Sequence, residues 1–263
     1  MPLLNAAIVS HSPILIPEIG KINHQVLRKT VDAYQEIASE LQGNDIETII
    51  IITPHGQVQA NYFTINAAPE LAIDLSEFGY LGATRKFFSD LDFIHELKDI
   101  SGDKIQLASD PKLDYGSSVP LHLLTSNLSD VKIVSLSYAS ELNLEDHFGL
   151  GNLIKQVIAK SAKRIAVIAS GDLSHRLKKT SPSGYSPKGA KFDSKLIEIL
   201  NNPIDTKENI LKMDAKLIND AGECGLKSIV TLLGVIGDRQ YEPNILAYQT
   251  DLGIGYLTMD FKL

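Results

Sequence analysis

Three histidines in this chain each follow an apolar run. His11 comes after Ala6-Ala7-Ile8-Val9-Ser10 and precedes Ser12-Pro13. His55 ends the stretch Ile49-Ile50-Ile51-Ile52-Thr53-Pro54. His175 comes after Ile165-Ala166-Val167-Ile168-Ala169-Ser170, through Gly171-Asp172-Leu173-Ser174. Each run is long enough for one buried strand, and in open α/β proteins ligands bind just beyond the carboxyl ends of the strands. Two neutral imidazoles and one carboxylate make the facial triad of non-haem Fe(II) sites, which leaves positions open for substrate and O2. Three carboxylates near turns are available for it: Asp114, Asp172 and Glu223. Asp172 is close enough in sequence to orient His175 or to cap a turn. Glu223 opens an otherwise apolar helical pattern, where a carboxylate costs free energy unless it is paired or metal-bound. Its plainer role is that of an acid favoured by the helix dipole. Cys224 is the rival donor. As the neighbour of Glu223 on a helix it points roughly 100° away, so the two are not expected to share one ion. Free cysteine is also common as a small core hydrophobe. Of the other histidines, His24, His95 and His147 read as solvated surface, and His122, in Val-Pro-Leu-His-Leu-Leu, as a satisfied core residue.

The elements that must position these groups alternate along the chain. Apolar residues recur at helical spacing over 22–41, 83–98, 150–161, 192–200, 207–218 and 223–236, and Pro120 opens a short helix through Leu124. Strand patterns fall at 48–52, 61–66, 105–108, 131–138, 165–170, 245–248 and 253–259. Alternation of this kind predicts an α/β fold in a single domain, residues 1–263, with a central largely parallel or mixed sheet flanked by helices. The continuous Ile run at 49–52 suits a strand covered on both faces. A loop rich in turn residues occupies 180–189. Neither an internal repeat nor a linker divides the 263 residues.

The net charge of −7 argues against nonspecific nucleic-acid binding, which needs basic surface. One cysteine cannot form an intrachain disulfide, no apolar run is long enough to span a bilayer, and the N-terminal run lacks the basic flank of a signal peptide. The expectation is a soluble, cytoplasmic protein with no nucleic-acid or membrane partner.

Several short stretches then form an ordered set: Ser10-His11-Ser12-Pro13, Thr53-Pro54-His55-Gly56, Leu113-Asp114-Tyr115-Gly116 with Val119-Pro120-Leu121, Ser170-Gly171-Asp172-Leu173-Ser174-His175-Arg176-Leu177, Gly184-Tyr185, Ala221-Gly222-Glu223-Cys224-Gly225-Leu226 and Gly253-Ile254-Gly255-Tyr256. In this order they resemble the class III extradiol dioxygenases of the LigB type, most of all the dioxygenase-like domain of the AmmeMemoRadiSam system. The resemblance implies that His11, His55 and Glu223 bind the metal and that His175 is the acid/base. Two departures stand out. The family commonly has Asp-His-Gly where this chain has Asp114-Tyr115-Gly116. The related Memo proteins use a cysteine as third ligand, which keeps Cys224 in play. AmmeMemoRadiSam proteins often add a C-terminal domain, and a chain ending at Leu263 is expected to be the stand-alone form.

The leading expectation is therefore an oxidoreductase that opens a small catechol-like aromatic with O2 at Fe(II). His175 would take a proton from the bound substrate and later return one. A Memo-like metal-binding or redox-associated protein without ring cleavage is the second expectation. A hydrolase using Zn²⁺ on the same ligands is the third. A homodimer follows from analogy of fold alone.

Overall fold

The histidine-bearing runs become neighbouring strands. A computed structural model describes residues 2–82 and 84–263. Its strands are β1 (Leu3–Val9), β2 (Thr48–Thr53), β3 (Phe63–Asn66), β4 (Glu70–Ile73), β5 (Lys86–Phe88), β6 (Ile105–Ala108), β7 (Lys112–Leu113), β8 (Lys132–Ser137), β9 (Ile165–Ser170), β10 (Glu242–Gln249) and β11 (Tyr256–Lys262). Eight of them form one sheet in the order β10-β11-β1-β9-β2-β8-β3-β6, and β5-β4-β7 form a small second sheet. The four central strands β1, β9, β2 and β8 are parallel. The strands β11 and β3 join them antiparallel, so the sheet is mixed.

Register does the positioning. Val9 pairs with Ser170, Ile52 with Ala169 and Thr53 with Ser137. All four central strands thus end along one edge, and the residues just past them meet there. The Ile run of β2 is buried on both faces. Ile50 and Ile52 pack into the layer that includes Ile154, Val157, Leu226 and Ile229, while Ile49 and Ile51 pack with Tyr34, Ile37 and Leu41. Each fully buried Ile contributes about 1.5–3 kcal/mol, so this alternation pins the register against slippage.

Several elements differ from the sequence reading. The pattern over 22–41 is two pieces, Ile22–Val26 and Arg28–Gly43, broken at Leu27. Over 83–98 the chain first forms β5, and the helix begins at Leu91, capped by Asp90; Ala83 lies outside the described residues. The Phe87 and Phe88 pair alternates as in a strand, Phe87 buried and Phe88 exposed. Pro120 lies inside the helix Tyr115–Leu124, whose N-cap is Asp114. The pattern over 207–218 divides into Thr206–Leu211 and Ala215–Ala221. His147, expected on the surface, is fully buried: its ring packs edge-on against Phe63 and Tyr138, and its Nδ1 donates to the carbonyl of Asn143 one turn back at 2.6 Å.

At the opposite edge of the sheet, buried Asp90 ties helix to sheet. It accepts from Thr48 Oγ1 (2.7 Å), Phe93 N (3.3 Å) and Lys163 Nζ (2.6 and 2.8 Å). Burial pushes its pKa up, but the bonds from Lys163 and Thr48 and the lysine charge outweigh this and hold it below the usual carboxylate value. Because the folded pKa is depressed, this carboxylate contributes stability above its unfolded pKa of about 3.9, and loses it as pH falls through the folded value. Lys163→Met is expected to destabilise by about 1–3 kcal/mol in urea melts at neutral pH. That is less than for a fully buried pair, since 32% of the Lys163 side chain stays exposed. The deficit should shrink on acidification, and metal content should not change.

Candidate metal centre

His11 emerges two residues past the end of β1, with a fixed tautomer. Its Nδ1 lies 3.0 Å from Ser170 Oγ, and that hydroxyl already donates to Gly116 O at 2.5 Å. A hydroxyl has one proton, so Ser170 must accept from His11 Nδ1–H. His11 Nε2 therefore carries a bare lone pair. Facing it at 3.0 Å is Nε2 of His55, from the turn after β2. Cys224 Sγ lies 3.6 Å from the same His11 nitrogen. The ligand atoms of His11, His55 and Cys224 all fall within 4.8 Å of one another.

The cysteine is delivered by close backbone contact. A Cβ on Gly171 would stand 2.2 Å from the Cα of Gly225. Only glycine lets the segment after β9 and the start of the helix Leu226–Ile236 approach this closely. Cys224 N and Gly225 N then both donate to Asp172 O, at 3.3 and 3.0 Å.

Glu223 does not join the histidines. The helix begins at Leu226 rather than at Glu223, and Glu223 Oε2 accepts from Leu226 N at 2.6 Å. The carboxylate implied as third ligand is instead committed to its own helix N-terminus, where the peptide dipole favours it. Burial raises its pKa to about 7, against the pull of the Leu226 N–H and Lys227. Asp172 also departs from expectation. It accepts a hydrogen bond from Ser10 Oγ and places Oδ2 at 3.9 Å from His11 Nε2. His175 is oriented by a carbonyl: its Nδ1 lies 2.7 Å from Gly222 O, which can only accept. Nδ1 of His175 thus bears the proton and Nε2 is free. Asp114 caps its helix and accepts from Thr53 Oγ1 at 2.6 Å.

Tyr115 is the functional neighbour that strand and helix patterns did not single out. Its ring stacks on His55 with centroids 4.2 Å apart, and its hydroxyl lies 2.8 Å from His55 Nε2. The only cue for it was the departure from Asp-His-Gly.

Electrostatically the cluster is a set of neutral groups awaiting charge. Burial, then repulsion from His175, lowers the pKa of His11 to about 3. Burial, then His11, does the same for His55, partly offset by Asp172. Burial and the Asp172 carboxylate push the Cys224 thiol well above its ordinary value. Neutral imidazoles are the form that binds metals, and a cation would draw the proton off the thiol. The two spacings measured from His11 Nε2 suit an ion. With metal–nitrogen bonds of about 2.0–2.1 Å and a metal–sulfur bond of about 2.3 Å, neighbouring nitrogens fall roughly 3.0–3.4 Å apart, and nitrogen and sulfur up to about 3.6 Å. The donors present therefore fit a divalent transition metal.

Residues 5–257 match the catalytic LigB subunit of aromatic ring-opening dioxygenase. The chain belongs to the LigB family. Among LigB-family and other relatives, CA_C1420 of Clostridium acetobutylicum is 29% identical over all of this chain, which spans 58% of that protein's length. The 3,4-dihydroxyphenylacetate 2,3-dioxygenase of Escherichia coli is 25% identical over 91% of this chain and 92% of its own. The crystal structure of an uncharacterized protein of Escherichia coli K12, JW3007, superposes with a TM-score of 0.68 at 16% identity, over 98% of this chain and 99% of that one, and so shares the fold. The LigB-family fold here contains no helix, among the described residues, long and apolar enough to cross a membrane.

Proposed function

We propose that this LigB-family chain is a metal-dependent oxidoreductase of the extradiol type, with His11, His55 and Cys224 as ligands and a small ortho-dihydroxylated aromatic as substrate, opened with O2. The observation that carries this reading is the convergence of two neutral imidazoles and a thiol at the carboxyl edge of the parallel strands. A bound divalent ion would supply Lewis acidity that makes the substrate hydroxyls easier to deprotonate.

The chain's own groups do the rest. Ser170 and Gly116 hold His11 in the tautomer that offers Nε2. The Tyr115 ring covers one face of His55. His175, its Nδ1–H fixed on Gly222 O, presents Nε2 to accept a substrate proton and return it later. Asp172, anchored by Ser10, places a carboxyl group beside the cluster, and burial raises its pKa.

The thiol favours a second reading. A sulfur donor in place of Glu223 shifts preference toward softer ions such as Cu(I) or Zn²⁺, and toward Memo-like metal binding without ring cleavage. Metal analysis and O2 uptake with a panel of catechols, made on one anaerobically purified sample, separate the two. Iron with uptake supports ring opening, whereas metal without turnover supports the Memo-like reading. Zinc with hydrolytic activity would make the protein a hydrolase. In either metal reading His11→Ala and His55→Ala should each abolish metal binding while leaving the circular dichroism spectrum unchanged. Full occupancy in either variant would overturn the ligand assignment.

A further inference from the structure

Beside the metal centre the sheet does something its sequence pattern does not require. The face of β8 that buries Ile133 continues with Ser135 and Ser137. The strand β3 meets it antiparallel, pairing Thr64 with Ser137 and Asn66 with Ser135. This hydroxyl-bearing surface is the base of a chamber of about 250 Å³ that His55 also lines. Thr64, Ser135 and Ser137 are 4%, 5% and 5% exposed. Buried this deeply, hydroxyls normally have partners. Thr64 Oγ1 has none, and Ser135 Oγ has only Ser117 Oγ, at 3.2 Å. Leaving a buried hydroxyl unpaired destabilises the fold. The space is also kept open: a Cβ on Gly56 would come within 2.1 Å of Ser137 Oγ and 3.4 Å of Asp114 Oδ2.

The charges around it select against anions. Asp114 and Asp110 line the chamber, and Lys112 is its single cation among the described residues. The Lys112 Nζ is already paired with Asp74 at 2.7 Å. A carboxylate entering here would meet two acids and no free positive charge.

We propose that the chamber receives the ring substituent of the aromatic held at the metal centre, and that this substituent ends in a hydroxyl, amide or ammonium group rather than a carboxylate. Thr64 Oγ1 then gains its missing partner. Because His55 belongs to both chamber and cluster, a molecule at the cluster has the chamber within reach. The inference rests on the proposed aromatic substrate and narrows it. The two would differ in this respect from the dihydroxyphenylacetate named for the Escherichia coli relative.

The test is calorimetric titration of the chain loaded with Zn²⁺, which is redox-inert and leaves the aromatic intact. The probes are catechol, 4-(hydroxymethyl)catechol, 3,4-dihydroxyphenethylamine and 3,4-dihydroxyphenylacetate. The hydroxyl- and ammonium-tailed probes should bind roughly tenfold more tightly than the carboxylate-tailed one, the worth of one good hydrogen bond. Thr64→Val should reduce that preference severalfold and leave the Kd of plain catechol unchanged, and Ser137→Ala serves the same purpose should the first variant not fold. Equal or tighter binding of the carboxylate-tailed probe, or a preference that survives both substitutions, would overturn the proposal while leaving the aromatic site standing. Failure of every catechol to bind would overturn both together.

Discussion

Cys224→Ser is expected to strip the protein of its metal, whereas Glu223→Gln keeps it. The Cys224 sulfur lies 3.6 Å from His11 Nε2, and its loss removes a donor from the cluster itself. Loss of a group that merely supports a metal ligand costs 10–100-fold in affinity, so loss of the ligand should exceed about 100-fold. Glutamine at position 223 still offers an oxygen to Leu226 N, so the helix keeps its cap. Only the charge is lost, and its interaction with the helix N-terminus is worth about 0.3–1 kcal/mol. Metal content by plasma emission and unfolding midpoints on the same preparations check both halves. A Cys224→Ser protein at full occupancy, with an empty Glu223→Gln protein, would return the third position to the carboxylate.

His175→Gln should retain metal and fold but lose turnover by about 10²–10⁴, the usual worth of general acid–base catalysis. His175 is not one of the three clustered donors, yet it lies close enough for its charge to depress both His11 and His55. Its Nδ1 is spent on Gly222 O, so its chemistry resides in Nε2. Catechol-dependent O2 uptake and metal content should be read on one sample. Metal lost together with activity would make His175 a ligand, and unchanged activity would leave it a structural residue.

The main sheet was legible because its signals are local. The Ile run of β2, the two histidine turns and the alternation of strand and helix all lie within a few residues of sequence, and the large sheet flanked by helices follows from them. The strand β7 was not legible, since two residues carry no period of their own. Glu223, read from the sequence as the third donor, lies away from the two histidines for a more instructive reason. Whether Glu223 or Cys224 faces His11 depends on where the helix starts, and a start at Leu226 leaves the glutamate as the nearest available cap. The contact between Gly171 and Gly225 that fixes this joins segments more than fifty residues apart, and no local pattern reveals it. The hydroxyl chamber was invisible for the same reason: Ser135 and Ser137 look like ordinary strand residues until β3 sets Thr64 beside them.

The donors come from three stretches far apart along the chain, at positions 11, 55 and 224. An unfolded polypeptide therefore offers an ion no ready chelate, and the site exists only once the parallel strands have docked and the two glycines have met. Occupancy is thus coupled to the whole folding equilibrium. At a free-ion concentration one hundred times Kd the folded state gains about 2.7 kcal/mol by mass action, a large share of the margin on which a domain survives. Cellular metal supply would then set the abundance of this protein as well as its activity, since chains that fold without the ion spend more time open to proteolysis.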